Sequence, residues 1–158
     1  MQKIDFAKLE FDSETEESLL AFCKAHRLGL ADVDDQSLLK AKDFKFHVTV
    51  MYSKVTNPEF REGEADFFAH VVQPVSYDMF GPDRDLLVLR LHADKVLTNL
   101  FDHYVSRYGH VSDFAPFKPH VTIRGSSASA RDRLAALPLP DFELRATRLT
   151  HKVKITGA

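Results

Sequence analysis

Tryptophan is absent from this sequence of 158 residues, cysteine occurs once, and no apolar run approaches the length of a membrane span. The single cysteine, Cys23, excludes an internal disulfide, and a reducing, cytoplasmic setting is the expectation. Cys23 falls in a segment of helical periodicity, where a thiol is expected to pack as a small hydrophobe. The opening MQKIDFAKLE lacks the apolar core of a signal peptide, so a soluble protein with no membrane partner is expected. With no Trp but 13 Phe, most of the aromatic residues are expected to serve the core. A surplus of positive charge is missing too: 21 Lys+Arg stand against 23 Asp+Glu, a formal net charge of -2. A protein that coats nucleic acid carries a clear basic excess, so no duplex nucleic acid is expected as a partner. A small anionic ligand needs only a local positive pocket and remains compatible with this balance.

A chain of this length with 44% hydrophobic residues suits one domain, or two small lobes around one site. Alternation predicts a strand over Ile4 to Phe11. Ser13 followed by Glu16 matches a capping box and opens a helix to about His26, with Leu19, Leu20, Phe22 and Cys23 on its apolar side. Phe46 to Tyr52 (FHVTVMY) has strand composition and leads into a loop with Pro58 and Gly63. Ala65 to Val72 and Val75 to Phe80 read as strands, and the turn beginning at Gly81 marks a lobe boundary near 81–85. A strand over Leu86 to Leu91 and a helix over Ala93 to Tyr108 follow, the helix repeating Val96, Leu97, Leu100, Tyr104 and Val105. Gly109 is its expected stop. After Pro116 and Pro119 come the strand HVTIR, a short helix over Ala128 to Leu137, and a last strand over about Phe142 to Ile155. Each half therefore reads strand, helix, loop, His-containing strand. The expected fold is α+β: two pseudo-symmetric lobes, each a small antiparallel sheet with a flanking helix, enclosing a central cleft.

The two His strands carry the chemistry. Phe44-Lys45-Phe46-His47-Val48-Thr49-Val50 aligns with Phe117-Lys118-Pro119-His120-Val121-Thr122-Ile123. On a strand, residues i and i+2 share a face. His47 and Thr49 therefore share one face, as do His120 and Thr122, while Val48 and Val50 enter the core. If the strands meet at the pseudo-twofold axis, two imidazoles and two hydroxyls converge. One imidazole can take a proton from an attacking hydroxyl and the other can protonate a leaving oxygen, because His titrates near neutral pH. The Thr hydroxyls can bind non-bridging phosphate oxygens. One His-x-Thr alone is ordinary strand composition; the matched pair is what points to catalysis. Two histidines without Asp, Glu or Cys at ligand spacing make a poor zinc site, so no metal and no cofactor are expected.

Other residues carry open readings. Arg124, at i+4 from His120, shares its face and can clamp phosphate; the matching first-half position is Met51. Lys45 and Lys118 either face the cleft or are solvated strand-end lysines. Tyr52 and Phe6 either stack on a base or belong to the core. The remaining histidines read as structural or exposed, with His110 near enough in sequence to approach the cleft.

The motifs His47-Val-Thr-Val and His120-Val-Thr-Ile resemble the paired His-x-Thr-hydrophobic motifs of the two-histidine (2H) phosphoesterase superfamily. HVTVMYS (47 to 53) and FKPHVTI (117 to 123) look most similar to phage anti-CBASS phosphodiesterases, enzymes that hydrolyse the cyclic di- and trinucleotides with which bacteria signal infection. The resemblance implies His47 and His120 as the acid-base pair, Thr49 and Thr122 on phosphate, and a first-strand aromatic such as Phe6 against a base. It implies a small cyclic oligonucleotide as substrate, a 2′-hydroxyl as attacking group, and action in the host bacterial cytoplasm. An RNA 2′,3′-cyclic or 2′,5′ phosphodiesterase of the same superfamily, and a non-catalytic cyclic-nucleotide sponge, are the alternatives.

Overall fold

The computed structural model describes residues 2–28, 45–81, 86–110, 117–126 and 132–156, with the side chains of 124–126 and 156 left aside. Strand β1 (Gln2–Phe11) leads into helix α1 (Ser13–His26), and β2 (His47–Ser53) follows. Two three-residue strands, β3 (Gly63–Ala65) and β4 (His70–Val72), precede β5 (Pro74–Phe80) and β6 (Leu86–Leu91). Helix α2 (Lys95–Tyr108), β7 (His120–Ser126), a 3-10 turn (Leu134–Ala136) and β8 (Leu144–Thr156) complete the order.

The strands form one open sheet in the order β3-β8-β1-β2-β7-β6-β5, with β4 also on β8. Every ladder is antiparallel. The two small sheets expected from the repeat are thus joined edge to edge, and the assigned pair between β2 and β7 is Val48↔Val121. The buried apolar residues of α1 (Leu19, Cys23) and the buried residues of α2 (Leu97, Tyr104) belong to the same cluster as Val48, Val50, Val121 and Ile123. Helices on one face of an antiparallel sheet define an α+β architecture, and the other face is left for chemistry.

Local chemistry explains the element boundaries. Asp12, not Ser13, caps α1: its carboxylate accepts from the Thr15 N–H at 2.8 Å. Asp12 can do so because it keeps extended backbone while Ser13 already belongs to the helix. Asp94 caps α2 in the same way through the Leu97 N–H. Gly109 ends α2 at φ 67, a left-handed position where glycine carries no Cβ penalty. Val96 and Val105, expected on the apolar side of α2, are exposed, because the stripe that meets the sheet is the narrower one through Leu97 and Tyr104.

The strand expected over 65–72 is split. Ala65 pairs with Leu149 but His70 with Ala146, so residues 66–69 form an insertion in the ladder to β8 and Phe68 is thrown outward, 93% exposed. Of the short helix expected over 128–137, the turn at Leu134–Ala136 is seen, and 127–131 lie outside the described residues. Most of the expected lobe boundary at 81–85 also lies outside them. Cys23 is buried in the core, and burial pushes its thiol up to about 12, as an inert packing residue requires.

Candidate active site

β2 and β7 adjoin along the middle of the sheet. Continuing the Val48↔Val121 register by one residue each way sets His47 toward Thr122 and Thr49 toward His120. An antiparallel pair has a local twofold axis between its strands, so the two His-x-Thr units are related across the Val48–Val121 pair. His47, Thr49, His120 and Thr122 are all half-buried, whereas Val48 and Val121 are fully buried. The alternation expected of both motifs is therefore present.

Each imidazole is held in the same way. His47 Nδ1 lies 3.2 Å from the carbonyl of Lys45, and His120 Nδ1 lies 2.8 Å from the carbonyl of Lys118. A carbonyl only accepts, so each Nδ1 carries the hydrogen and each Nε2 is the titrating atom. An aromatic edge sets each ring further: Phe6 meets His47 at 5.8 Å between centroids and Phe80 meets His120 at 4.9 Å, both T-shaped. Burial against these walls holds both imidazoles below the ordinary pKa of 6.5. The backbone carbonyls oppose that shift, while Lys8, Lys154 and His120 beside His47, and Arg90 beside His120, add to it. His120 is thus among the charges that bear on His47.

The lysines repeated in both motifs act partly through their main chain, since their carbonyls fix the histidines. The Lys45 side chain lines an open cleft with His47; Lys118 is exposed and is not among the cleft's lining residues. The cleft measures about 910 Å³ and is lined by Lys8, Glu10, Lys45, His47, Glu62, Gly63, Glu64, Arg148, Thr150, His151 and Lys152. It runs from His47 across β1 to β8 and β3, away from His120.

A bulge decides the fate of the aromatic candidates. β1 pairs Ala7 with Met51 but Lys8 with Thr49, so Val50 is the extra residue. Val50 and Met51 both enter the core, at 1% and 0% exposure, and Tyr52 returns to the face of His47 and Thr49. Strict alternation would have put Met51 there. Tyr52 is 40% exposed and meets Phe6 edge-on at 5.9 Å. Phe6 is only 4% exposed, and the Lys154 ammonium lies 4.3 Å from its ring centroid, which leaves Tyr52 as the accessible aromatic of the two. The side chain of Arg124 lies outside the described residues.

Three other histidines have partners of their own. His70 Nε2 is 2.8 Å from Asp94. His151 donates from Nδ1 to the Arg61 carbonyl, accepts from the Tyr104 hydroxyl at 2.6 Å and stacks on Phe60. Buried His110 accepts from the Tyr52 N–H at 3.4 Å, supporting the strand end that carries Tyr52. Among the described residues, no three His, Cys, Asp or Glu side chains gather as a metal site would need. No helix among them is long and apolar enough to cross a membrane.

Sequence reasoning missed Lys8, Glu10, Arg90, Arg148, Thr150 and Lys152. The signal was present in β8, where Arg148, Thr150, Lys152 and Lys154 recur at every second position and so share one face.

A model of the family described as the anti-CBASS protein Acb1 matches residues 6–134, a span that takes in both His-x-Thr strands and ends before β8. No curated protein matches the chain.

Proposed function

Since the chain belongs to the anti-CBASS protein family, we propose that it is a metal-independent phosphodiesterase that hydrolyses the cyclic di- or trinucleotides by which bacteria signal infection. It would act in the cytoplasm of the infected host. The fold, in this reading, is that of a two-histidine phosphoesterase, with two pseudo-symmetric lobes meeting at β2 and β7 and one site between them. The observation that carries the reading is the matched anchoring of His47 and His120, each with Nδ1 tied to its own strand and Nε2 left to exchange a proton.

The reaction follows from that arrangement. A ribose 2′-hydroxyl attacks the adjacent phosphorus while one neutral imidazole removes its proton at Nε2. The other imidazole, protonated, gives its proton to the departing 5′-oxygen, so the chain opens with a 2′,3′-cyclic phosphate at one end. Water then attacks the same phosphorus with the two roles exchanged, leaving a linear product. Charge gathers on the non-bridging oxygens in both steps, and the Thr49 and Thr122 hydroxyls stand across the strand pair to receive it. Tyr52 offers a face for a base.

The test is hydrolysis by EDTA-treated protein of a panel: 3′,3′-cyclic GMP-AMP, a cyclic trinucleotide, a 2′,5′-linked oligoadenylate and an RNA ending in a 2′,3′-cyclic phosphate. Turnover of the cyclic oligonucleotides is expected, with His47→Ala and His120→Ala each reducing it by about 10²–10⁴-fold or more while remaining folded. Turnover of the last two substrates alone would move the protein to RNA processing. Tight binding of a cyclic oligonucleotide without turnover at any pH would make it a sponge.

A further inference from the structure

The cleft is lopsided. The two His-x-Thr units are matched across β2 and β7, yet the cleft that His47 lines among the described residues extends over β1, β8 and β3 and takes in neither His120 nor Thr122. Three rows of side chains cross this face. His47 pairs with Glu10 and Glu10 with Arg148; Thr49 with Lys8 and Lys8 with Thr150; Tyr52 with Phe6 and Phe6 with Lys152. Neighbouring strands are about 4.8 Å apart, so β8 lies roughly 10 Å from the strand of His47 and Thr49. Arg148 spans part of that distance by reaching back over β1 to Glu10, on the side where a phosphate next to the reacting one would lie.

Glu10 organises this floor. Largely buried, it meets Lys8 at 3.7 Å and Arg148 at 3.4 Å, and it accepts from the Thr150 hydroxyl at 3.3 Å. Arg148 is braced on its other side by Glu64 at 3.4 Å. Two carboxylates thus hold the guanidinium in one orientation at the cleft surface. Lys152 is exposed beside them and forms no ion pair among the described residues. The Lys8 and Lys154 ammonium groups both lie over the Phe6 ring, 5.9 and 4.3 Å from its centroid, and Lys152 shares the β8 face of Lys154, so ammonium groups gather here on a protein whose net charge is -2. A bound anion relieves that crowding.

We propose that Lys8, Arg148 and Lys152 form a second, non-reacting phosphate subsite, which selects substrates carrying another phosphodiester beside the one being cut. The proposal rests on the phosphodiesterase reading but goes beyond it. It assigns the unreacted part of the ligand to the β1–β8 side, and two of its three cations lie on β8, outside the matched family span.

The experiment compares two ligands by calorimetry in the His120→Ala background, where turnover does not intervene. One is 3′,3′-cyclic GMP-AMP, with two phosphodiesters; the other is the linear dinucleoside monophosphate ApA, with one. The protein with the subsite intact should bind the first at least tenfold more tightly. Arg148→Gln combined with Lys152→Gln should weaken the cyclic ligand by about 10–100-fold, the loss of charge-assisted hydrogen bonds, and should weaken ApA by far less. Arg148→Lys should restore part of the lost affinity. Equal affinity for the two ligands before substitution, or equal losses on both after it, would overturn the subsite and leave the hydrolysis result standing. Binding of neither ligand would overturn the subsite and the function together.

Discussion

At the scale of single residues, the site turns on two hydrogen bonds of the same kind. Each catalytic candidate donates from Nδ1 to the carbonyl two residues before it. The Lys-x-His recurrence in the sequence therefore encodes a backbone geometry as well as a charge. A base must be neutral and an acid protonated, and burial holds both imidazoles below 6.5. The kcat/KM profile of the proposed reaction is thus expected to be bell-shaped, centred on the acid side of 6.5, with two apparent pKa values that belong to the pair. A profile rising to a plateau above pH 8 would contradict it. Thr49→Val and Thr122→Val should each lower kcat by about 10²-fold while leaving the thermal midpoint nearly unchanged, the result of removing a donor to a developing oxyanion. The two threonines were legible from period-2 spacing alone. Tyr52 was legible only as an aromatic near the motif, because its side is set by the bulge at Val50.

At the scale of elements, α1 is tied to the site through Glu16. Its carboxylate accepts from the Phe46 N–H, the residue before His47, while its Oε1 is buried without a partner. Burial is the main cause that lifts Glu16 to about 7, the Phe46 bond and Lys45 opposing it. A carboxyl raised above its ordinary 4.5 contributes stability that is whole below that value and is lost as pH rises through about 7. Glu16→Gln keeps an acceptor for Phe46 and cannot ionise. The variant should be more stable than the parent at pH 8 by about 1 kcal/mol, a figure reduced for partial solvent exposure, and nearly equal to it at pH 4. Thermal melts at the two pH values decide this. At the other helix, Asp94 both caps α2 and pairs with His70. Asp94→Ala should therefore cost more than the roughly 1 kcal/mol typical of a lost cap, and more than Asp12→Ala, whose carboxylate has the capping bond without a histidine. The capping box read at Ser13 and Glu16 had the right helix and the wrong cap. Its Glu16 points instead toward a strand remote in sequence, which no local pattern shows.

At the scale of the molecule, four histidines, His47, His110, His120 and His151, are all held below 6.5, with burial first among the causes. A base with a depressed pKa binds fewer protons folded than unfolded between its folded value and 6.5, so stability rises with pH through that window and is lost on acidification. Glu16 acts in the opposite sense between 4.5 and about 7. The parent should show a shallow pH dependence over pH 5–6.5, and Glu16→Gln, with only the histidines left, a steeper one. Equal slopes would contradict the assignment.

The sequence by itself determined what depends on neighbours along the chain: the alternation that sends Val48 and Val121 inward and their flanking His and Thr outward, the helix stop at Gly109, the repeat of strand, helix and His strand, and the buried thiol. Each is set within a few residues by backbone period, cap chemistry or side-chain polarity. Tertiary structure decided what depends on which strands lie side by side. It joined the two halves into one sheet at Val48 and Val121, turned Tyr52 toward the histidines and Met51 into the core, and covered Phe6 with Lys154. It also brought Lys8 and Glu10 of the first strand against Arg148 and Thr150 of the last, residues about 140 positions apart. Sequence distance carries no information about such pairings, because the ladder that makes them neighbours is a long-range hydrogen-bonded contact whose register is fixed only when the whole sheet closes on its core.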